Sequence, residues 1–149
     1  VIDYFKGFAA VMLTWLLDFD PAVSEAWLIN MRIIATGAVV LGHIFPIFAG
    51  FRGGKAVATS AGVLLGYAWP LFAILVCSFL ISLKLTKMVS LTSIIASTIA
   101  LIYAIINVFI NGEWELLLLI AILFTFIVYR HRENIKRIRN GTEPKITWL

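Results

Sequence analysis

The residues with the clearest chemical potential are two glycines and a lysine at positions 53 to 55, between two apolar runs. Glycine frees the backbone to turn its N–H groups toward an anion, and Lys55 adds a positive charge at the same place. A helix predicted to begin near Ala56 would point the positive end of its dipole at this loop, with Thr59 on its first turn. The pattern is typical of phosphate binding, but the GxxxxGK[ST] spacing of nucleotide hydrolysis is absent.

A histidine precedes this loop. His43 lies in an H-x-x-P sequence at the end of the preceding apolar run. Taken alone, His43 is more typical of a hydrogen-bonded residue at a helix end than of a catalyst. Its position directly before the Gly-Gly-Lys loop and a new apolar helix favours an anion site at the membrane interface.

The C-terminal tail carries a second polar group of residues, RHRENIKRIRNGTEPKI. His131 and Asn134 are three residues apart and would share one helix face, with Arg130 beside it. A glycine and a proline then end the helix and place Glu143 on a bend. A basic helix that only rests on anionic lipid is the simpler interpretation, but it requires neither the asparagine nor the placed carboxylate.

Composition places these groups in a membrane protein. The chain has 149 residues, of which 62% are hydrophobic and 13% charged, and its mean hydropathy is +1.01. A soluble domain of this size could not bury so much apolar surface. The single cysteine, Cys77, lies in an apolar run and cannot form an internal disulfide, and two histidines with one thiol are a poor metal set. We therefore expect neither metal nor cofactor.

The apolar runs predict an all-α, polytopic membrane helix bundle. The longest continuous run has 22 residues and would reach roughly 33 Å, enough to cross a bilayer. Two shorter runs are joined at a Gly-Tyr-Ala-Trp-Pro turn and predict a hairpin of two helices. The six predicted helices are residues 5–17, 27–48, 56–66, 70–83, 91–110 and 114–129.

The distribution of charge agrees with six crossings. If each run crosses once, all of the 12 Lys and Arg residues except Arg32 fall on one side of the membrane. The charged residues in the loops on the opposite side are all acidic. Because positive loops stay in the cytoplasm, the Gly-Gly-Lys loop and the C-terminal tail are predicted to be cytoplasmic.

These motifs together resemble one enzyme family. GHIFPIFAGFRGGKAVATSAGVLLG, SLTS and RHRENIKRIRNGTEPKI are similar to the bacterial membrane glycerol-3-phosphate acyltransferases that use acyl phosphate as donor, the PlsY type. The resemblance implies transfer of a fatty acyl group to the 1-hydroxyl of glycerol 3-phosphate, giving lysophosphatidic acid and phosphate. It also implies phospholipid biosynthesis in the bacterial cell membrane, a cytoplasmic active site and a functional link to an acyl-phosphate synthase, without nucleic acid.

The resemblance also assigns site residues. As catalytic residues it implies His43, Lys55, His131, Asn134 and Glu143. As substrate-binding residues it implies Arg52, Gly53, Gly54, Thr59, Ser90, Ser93 and Arg130.

One family motif has no counterpart. The family carries an earlier helix and a cytoplasmic SGNxGATNxxR motif, and this sequence begins just after their expected position. We therefore expect residues 1–149 to be a single integral membrane acyltransferase domain that lacks the first helix and first cytoplasmic motif. The intact protein is expected to have seven helices.

The spacing of histidines excludes the common His-x-x-x-x-Asp acyltransferase mechanism. The fifth residue after His43 is Phe48, and the fifth after His131 is Lys136. Because acyl phosphate is already activated, the protein need only orient two phosphates and disperse charge. The hydroxyl proton would pass to His131 or to the substrate's own phosphate.

Two other classes of protein, a transporter and a scaffold, compete with this interpretation, and a third is excluded. A small polytopic transporter of a phosphorylated or anionic metabolite would place polar residues at mid-membrane, where these runs are almost free of charge. A non-catalytic scaffold would not need the Gly-Gly-Lys loop. A CDP-alcohol transferase would need an aspartate-rich metal motif, which the sequence lacks.

Overall fold

The computed structural model describes residues 2–16, 24–50 and 53–148. These ranges contain seven α-helices and, between α2 and α3, a short 3₁₀ helix, Ile47–Ala49. The α-helices are α1 (Ile2–Trp15), α2 (Glu25–Ile44), α3 (Val57–Tyr67), α4 (Trp69–Thr86), α5 (Val89–Asn111), α6 (Trp114–Arg130) and α7 (Arg132–Arg139). The all-α prediction is confirmed, and the six predicted helices correspond to α1 to α6. The count of six omitted α7, because this short helix is polar rather than apolar.

Several helices are suited to a bilayer. Within the described residues, three are long and apolar enough to cross: Trp27–Ile44 of α2, α4 and α5. A fourth span results if α6 and α7, which meet at an angle of 58°, are counted as one broken span. Helix α3 is apolar but has only 11 residues. These lengths support a multi-pass membrane protein, with the shorter helices completing the bundle.

Contacts between helix ends show that the chain runs back and forth. His43, at the end of α2, contacts Lys6 near the start of α1 and Gly54 just before α3. Ser90, at the start of α5, contacts Glu143 beyond α7. Only two residues separate the end of α4 from the start of α5, so the last turn of α4 lies at this end too. Arg130, at the end of α6, contacts Gly53 and Gly54. The starts of α1, α3 and α5 therefore meet the ends of α2, α4 and α6, as the predicted hairpin requires.

Helices α1 and α3 pack with their backbones in close approach. A Cβ added to Gly7 would overlap the Thr59 carbonyl, and one added to Gly62 would overlap the Tyr4 carbonyl. Small residues allow such approach in membrane bundles, where van der Waals contact replaces the hydrophobic effect as the main attraction. This packing fixes the start of α3 against α1, and with it the Gly-Gly-Lys loop.

Arg32, the exception in the charge pattern, has a specific contact at the other end of the bundle. Its guanidinium lies 4.0 Å from the centroid of the Trp15 ring at the end of α1. A cation over an indole face is favourable, so Arg32 joins α1 to α2 away from the polar end.

Candidate active site

The Gly-Gly-Lys loop is held against the end of α2 by its lack of side chains. A Cβ on Gly53 would overlap the His43 carbonyl, and a Cβ on Gly54 would overlap the His43 ring at Nε2. The Gly54 N–H donates to the His43 carbonyl at 3.2 Å. The prediction that the loop turns its N–H groups toward an anion therefore does not hold at Gly54, whose N–H binds the protein itself.

Arg130, at the end of α6, also holds the loop. Its Nε donates to the Gly54 carbonyl at 3.1 Å and its Nη2 to the Gly53 carbonyl at 2.6 Å. A guanidinium presents several donors in a fixed plane and so can bind two neighbouring carbonyls at once. Arg130 was predicted to bind substrate, and the structure gives it a contact with the loop.

Because Gly54 meets the His43 ring, Gly54→Ala is expected to displace the loop and lower acyl-transfer activity at least about tenfold. Gly42→Ala is the matched control, since a Cβ there meets nothing within 4 Å. Both variants would be assayed after their fold is checked by circular dichroism. Equal activity of the two variants would contradict the close contact between Gly54 and His43.

A chain of hydrogen bonds joins the loop to the tail. Lys55 Nζ donates to Asn134 Oδ1 at 2.7 Å, and Asn134 Nδ2 donates to Glu143 Oε1 at 2.7 Å. Ser90 Oγ donates to the same carboxylate oxygen at 2.5 Å, and Arg137 Nε donates to Oε2 at 2.8 Å. The Glu143 side chain, 6% exposed, thus accepts three hydrogen bonds and joins α5, α7 and the tail.

The charges of this network follow from its contacts. The pKa of the Lys55 ammonium is lowered, mainly by burial. The Glu143 charge acts in the opposite direction, and the charges of Arg137 and Arg130 lower this pKa further. For the Glu143 carboxyl, burial raises the pKa, but hydrogen bonds from its three partners and the Arg137 charge lower it more, to about 2. Glu143 is therefore a carboxylate at neutral pH and has no proton to give.

His131 lies where α6 and α7 meet. It is 2% exposed, and its Nδ1 lies 2.8 Å from the Ile127 carbonyl oxygen one turn earlier. Because a carbonyl only accepts, Nδ1 must carry the proton, which leaves the lone pair of the neutral ring on Nε2. The ring can therefore accept a proton at Nε2.

A cavity of about 940 Å³ contains most of these groups. One end is polar, and the remainder is an apolar groove between α3, α4, α5 and α6. The polar end includes Asp3, His43, Lys55, Ser90, His131, Asn134 and Glu143. The groove includes Leu64, Phe72, Leu75, Phe79, Ile120, Leu123, Phe124 and Ile127.

Most of the predicted site residues meet at this cavity. It is lined by His43, Gly54, Lys55, Ser90, Ser93, His131, Asn134 and Glu143. Gly53 and Arg130 lie directly behind the lining, in the loop contacts given above. Arg52 falls outside the described residues.

Among the predicted site residues that the structure describes, Thr59 alone lies neither on the cavity lining nor in the loop contacts. It is fully buried beside Gly7 in the contact between α1 and α3, and its hydroxyl has no hydrogen-bond partner within the described residues. The next residue, Ser60, lines the cavity instead. Packing on α1 turns the Thr59 side of α3 away from the cavity, and a role for Thr59 in substrate binding stays a prediction.

Three further residues near the site were not predicted. Arg137 holds Glu143, while Asp3 and Lys6 on α1 contact His43. The i, i+3 spacing of Asp3 and Lys6 predicts their ion pair, which measures 2.7 Å. The sequence holds no sign that this pair meets a histidine 37 residues later.

Comparison with known proteins assigns the family. The glycerol-3-phosphate acyltransferase family model matches residues 1–141. The chain belongs to this glycerol-3-phosphate acyltransferase family. The glycerol-3-phosphate acyltransferase of Listeria monocytogenes serotype 4a is 49% identical over 150 residues, covering all of this chain and 70% of the relative. That of Bacillus subtilis is 47% identical over 147 residues, covering 99% of this chain and 69% of the relative.

Solved structures of the same family have the same fold. The crystal structure of PlsY (YgiH), an integral membrane glycerol 3-phosphate acyltransferase, in its glycerol 3-phosphate form superposes with a TM-score of 0.81 at 30% identity. The match covers 98% of this chain and 68% of that one. The lysophosphatidic acid form gives 0.80, also at 30% identity, over 97% of this chain and 69% of that one. The resemblance to PlsY is thus confirmed, and this chain is a multi-pass membrane acyltransferase.

Proposed function

We propose that this acyltransferase moves a fatty acyl group from acyl phosphate to the 1-hydroxyl of glycerol 3-phosphate, giving lysophosphatidic acid and phosphate. The observation that carries the proposal is the shape of the cavity, a charged end continuous with an apolar groove. Both substrates carry a phosphate and one carries a long alkyl chain. The polar end suits the phosphates, and the groove suits the chain because burying its methylene groups is favourable.

The Lys55 ammonium at the polar end would orient the phosphates. Lys55 lines the cavity from the loop, while Arg137 on α7 lies outside the lining and binds Glu143. Asn134 and Glu143 act as positioning residues that hold Lys55 and Ser90 at this end. Preorganised donors of this kind stabilise charge that develops on a leaving group without reorganising during the reaction.

The reaction balances without a covalent enzyme intermediate. The substrate hydroxyl oxygen bonds to the acyl carbonyl carbon, and the bond from that carbon to the phosphate oxygen breaks. Phosphate leaves with the bonding electrons. The hydroxyl proton passes to Nε2 of His131 or to a substrate phosphate, and retention of the full rate in His131→Ala would assign it to the phosphate.

The distribution of charge supports a cytoplasmic site in the bacterial cell membrane. The polar end of the cavity lies on the side that is predicted to hold all Lys and Arg residues except Arg32, and such loops stay cytoplasmic. Because acyl phosphate must be made by another enzyme, an acyl-phosphate synthase is the expected functional partner.

The proposed function is tested by comparing acyl phosphate with thioesters as acyl donors. The full-length gene product in lipid nanodiscs would receive labelled glycerol 3-phosphate with palmitoyl phosphate, palmitoyl-CoA or palmitoyl acyl carrier protein. Lysophosphatidic acid and free phosphate should form in equal amounts from palmitoyl phosphate only. Product from either thioester at a comparable rate, without palmitoyl phosphate, would overturn the proposed donor.

A further inference from the structure

We propose that Lys6 on α1 is a positioning residue that holds His43 in the tautomer with its proton on Nε2. Lys6 Nζ lies 2.8 Å from His43 Nδ1. A lysine ammonium has three donors and no acceptor, so a hydrogen bond at this distance requires a lone pair on Nδ1. The proton of the neutral ring must then be on Nε2.

Asp3 holds the ammonium in place. Its Oδ1 accepts from Lys6 Nζ at 2.7 Å, so the ammonium lies between the carboxylate and the ring. The same carboxylate oxygen is 3.4 Å from His43 Nδ1. If Lys6 were absent, the neutral ring could instead carry its proton on Nδ1 and donate it in a hydrogen bond to Asp3. Lys6 therefore decides between two tautomers that are both compatible with the surrounding residues.

The tautomer matters because of what Nε2 faces. Nε2 lies against Gly54, where a Cβ would overlap it, and His43, Gly54 and Lys55 all line the polar end of the cavity. A proton on Nε2 makes His43 an N–H donor at the same end of the cavity as the Lys55 ammonium. A phosphate oxygen bound there would meet two donors, whereas the other tautomer would present it with a lone pair.

The two histidines are thereby set in opposite states. His131 donates from Nδ1 to the Ile127 carbonyl and keeps its lone pair on Nε2, whereas His43 keeps its lone pair on Nδ1. One ring offers the cavity a donor and the other an acceptor. This inference deepens the proposed function at the same site and rests on it only for the ligand, because the tautomers are properties of the protein alone.

Nitrogen NMR of histidine rings tests the inference directly. The full-length protein, labelled with ¹⁵N in its histidine rings and reconstituted in lipid, should show His43 protonated on Nε2 and His131 protonated on Nδ1 near neutral pH. His43→Gln and His131→Gln spectra would assign the signals. Lys6→Met, which cannot donate, should shift the His43 proton to Nδ1 wholly or in part, while Lys6→Arg should retain it on Nε2.

Kinetics gives a second measurement. Loss of one hydrogen bond to a charged phosphate corresponds to a rise of about tenfold in KM for glycerol 3-phosphate, so Lys6→Met should raise KM more than it lowers kcat. Lys84→Met, an exposed lysine in the last turn of α4, is the control. Lys6→Arg should restore most of the loss.

The outcomes separate this inference from the proposed reaction. A wild-type His43 protonated on Nδ1, or a Lys6→Met spectrum identical to wild type, would overturn the inference whatever the enzyme's donor. If Lys6→Met fails to fold, the wild-type and Lys6→Arg spectra still decide. The expected tautomers together with a thioester donor would leave the inference standing and overturn the proposed function.

Discussion

Lys55→Ala is expected to lower kcat/KM for acyl transfer by about 10²–10³-fold, the loss that follows removal of one donor from a preorganised anion site. The Lys55 ammonium lines the polar end of the cavity and donates to Asn134 at 2.7 Å. Within the described residues, no other charged side chain of this loop lines the cavity. The measurement is the initial rate of lysophosphatidic acid formation at several glycerol 3-phosphate concentrations.

The control for Lys55 is another lysine at the same end of the bundle. Lys84→Ala removes an equal charge from an exposed position in the last turn of α4 and should change the rate less than about twofold. Lys55→Arg should recover part of the activity, since it keeps the charge but changes the donor geometry. A folded Lys55→Ala protein with wild-type kcat/KM would remove Lys55 from the site.

Glu143→Ala is expected to reduce activity about 100-fold through lost positioning, the scale of effect that a displacement of about 1 Å produces. The carboxylate binds Ser90, Asn134 and Arg137 at once, and Asn134 in turn holds Lys55. Glu133→Ala is the control, because its exposed carboxylate pairs only with neighbours on α7 in the described structure. An equal loss of activity in Glu143→Ala and Glu133→Ala would indicate that these carboxylates act only through their charge.

The pH dependence of Glu143 gives this prediction a second readout. The pKa of its carboxyl is lowered from 4.5 to about 2 in the folded protein. A lowered pKa means that the ionised form stabilises the fold above the unfolded pKa, and that this contribution is lost as the pH falls from 4.5 to about 2. Wild type should therefore lose thermal stability relative to Glu143→Gln over that interval. Between pH 5 and 8 the difference in melting temperature between the two proteins should stay constant. A constant difference across the acidic interval would contradict the lowered pKa.

The helices could be predicted from the sequence because apolar length and turn residues determine them. Helices α3 and α4 were separable at the Gly-Tyr-Ala-Trp-Pro turn, and α5 and α6 at Asn-Gly. The polar groups of the site were predictable as a set, since the loops on one side of an alternating bundle must come together. The family motifs added the individual residues.

The register of α3 could not be predicted. Thr59 and Ser60 are neighbours on one helix and differ by about 100° in direction, and both are flanked by small or apolar residues. Which of them faces the cavity depends on the close contact of Gly7 and Gly62 between α1 and α3. That contact pairs residues far apart in sequence, so local pattern carries no information about it.

The roles of the loop atoms could not be predicted for a similar reason. Glycines before a lysine predict free N–H groups, yet the Gly54 N–H donates to the His43 carbonyl. The sequence also does not indicate that the Arg130 guanidinium binds the loop carbonyls. Residue type indicates which atoms can donate, and only the tertiary contacts decide what they donate to.

Some of the residues that line the apolar groove are also exposed on the surface of the helix bundle. Val76 and Leu80 on α4 and Val89 on α5 line the cavity, yet they are 39%, 60% and 47% exposed. In the described part of the chain, an alkyl chain held in the groove would thus reach the surrounding leaflet sideways, without entering water. Turnover should then depend on the mole fraction of acyl donor in the bilayer, so that adding inert phospholipid slows the reaction by dilution in two dimensions at constant bulk concentration.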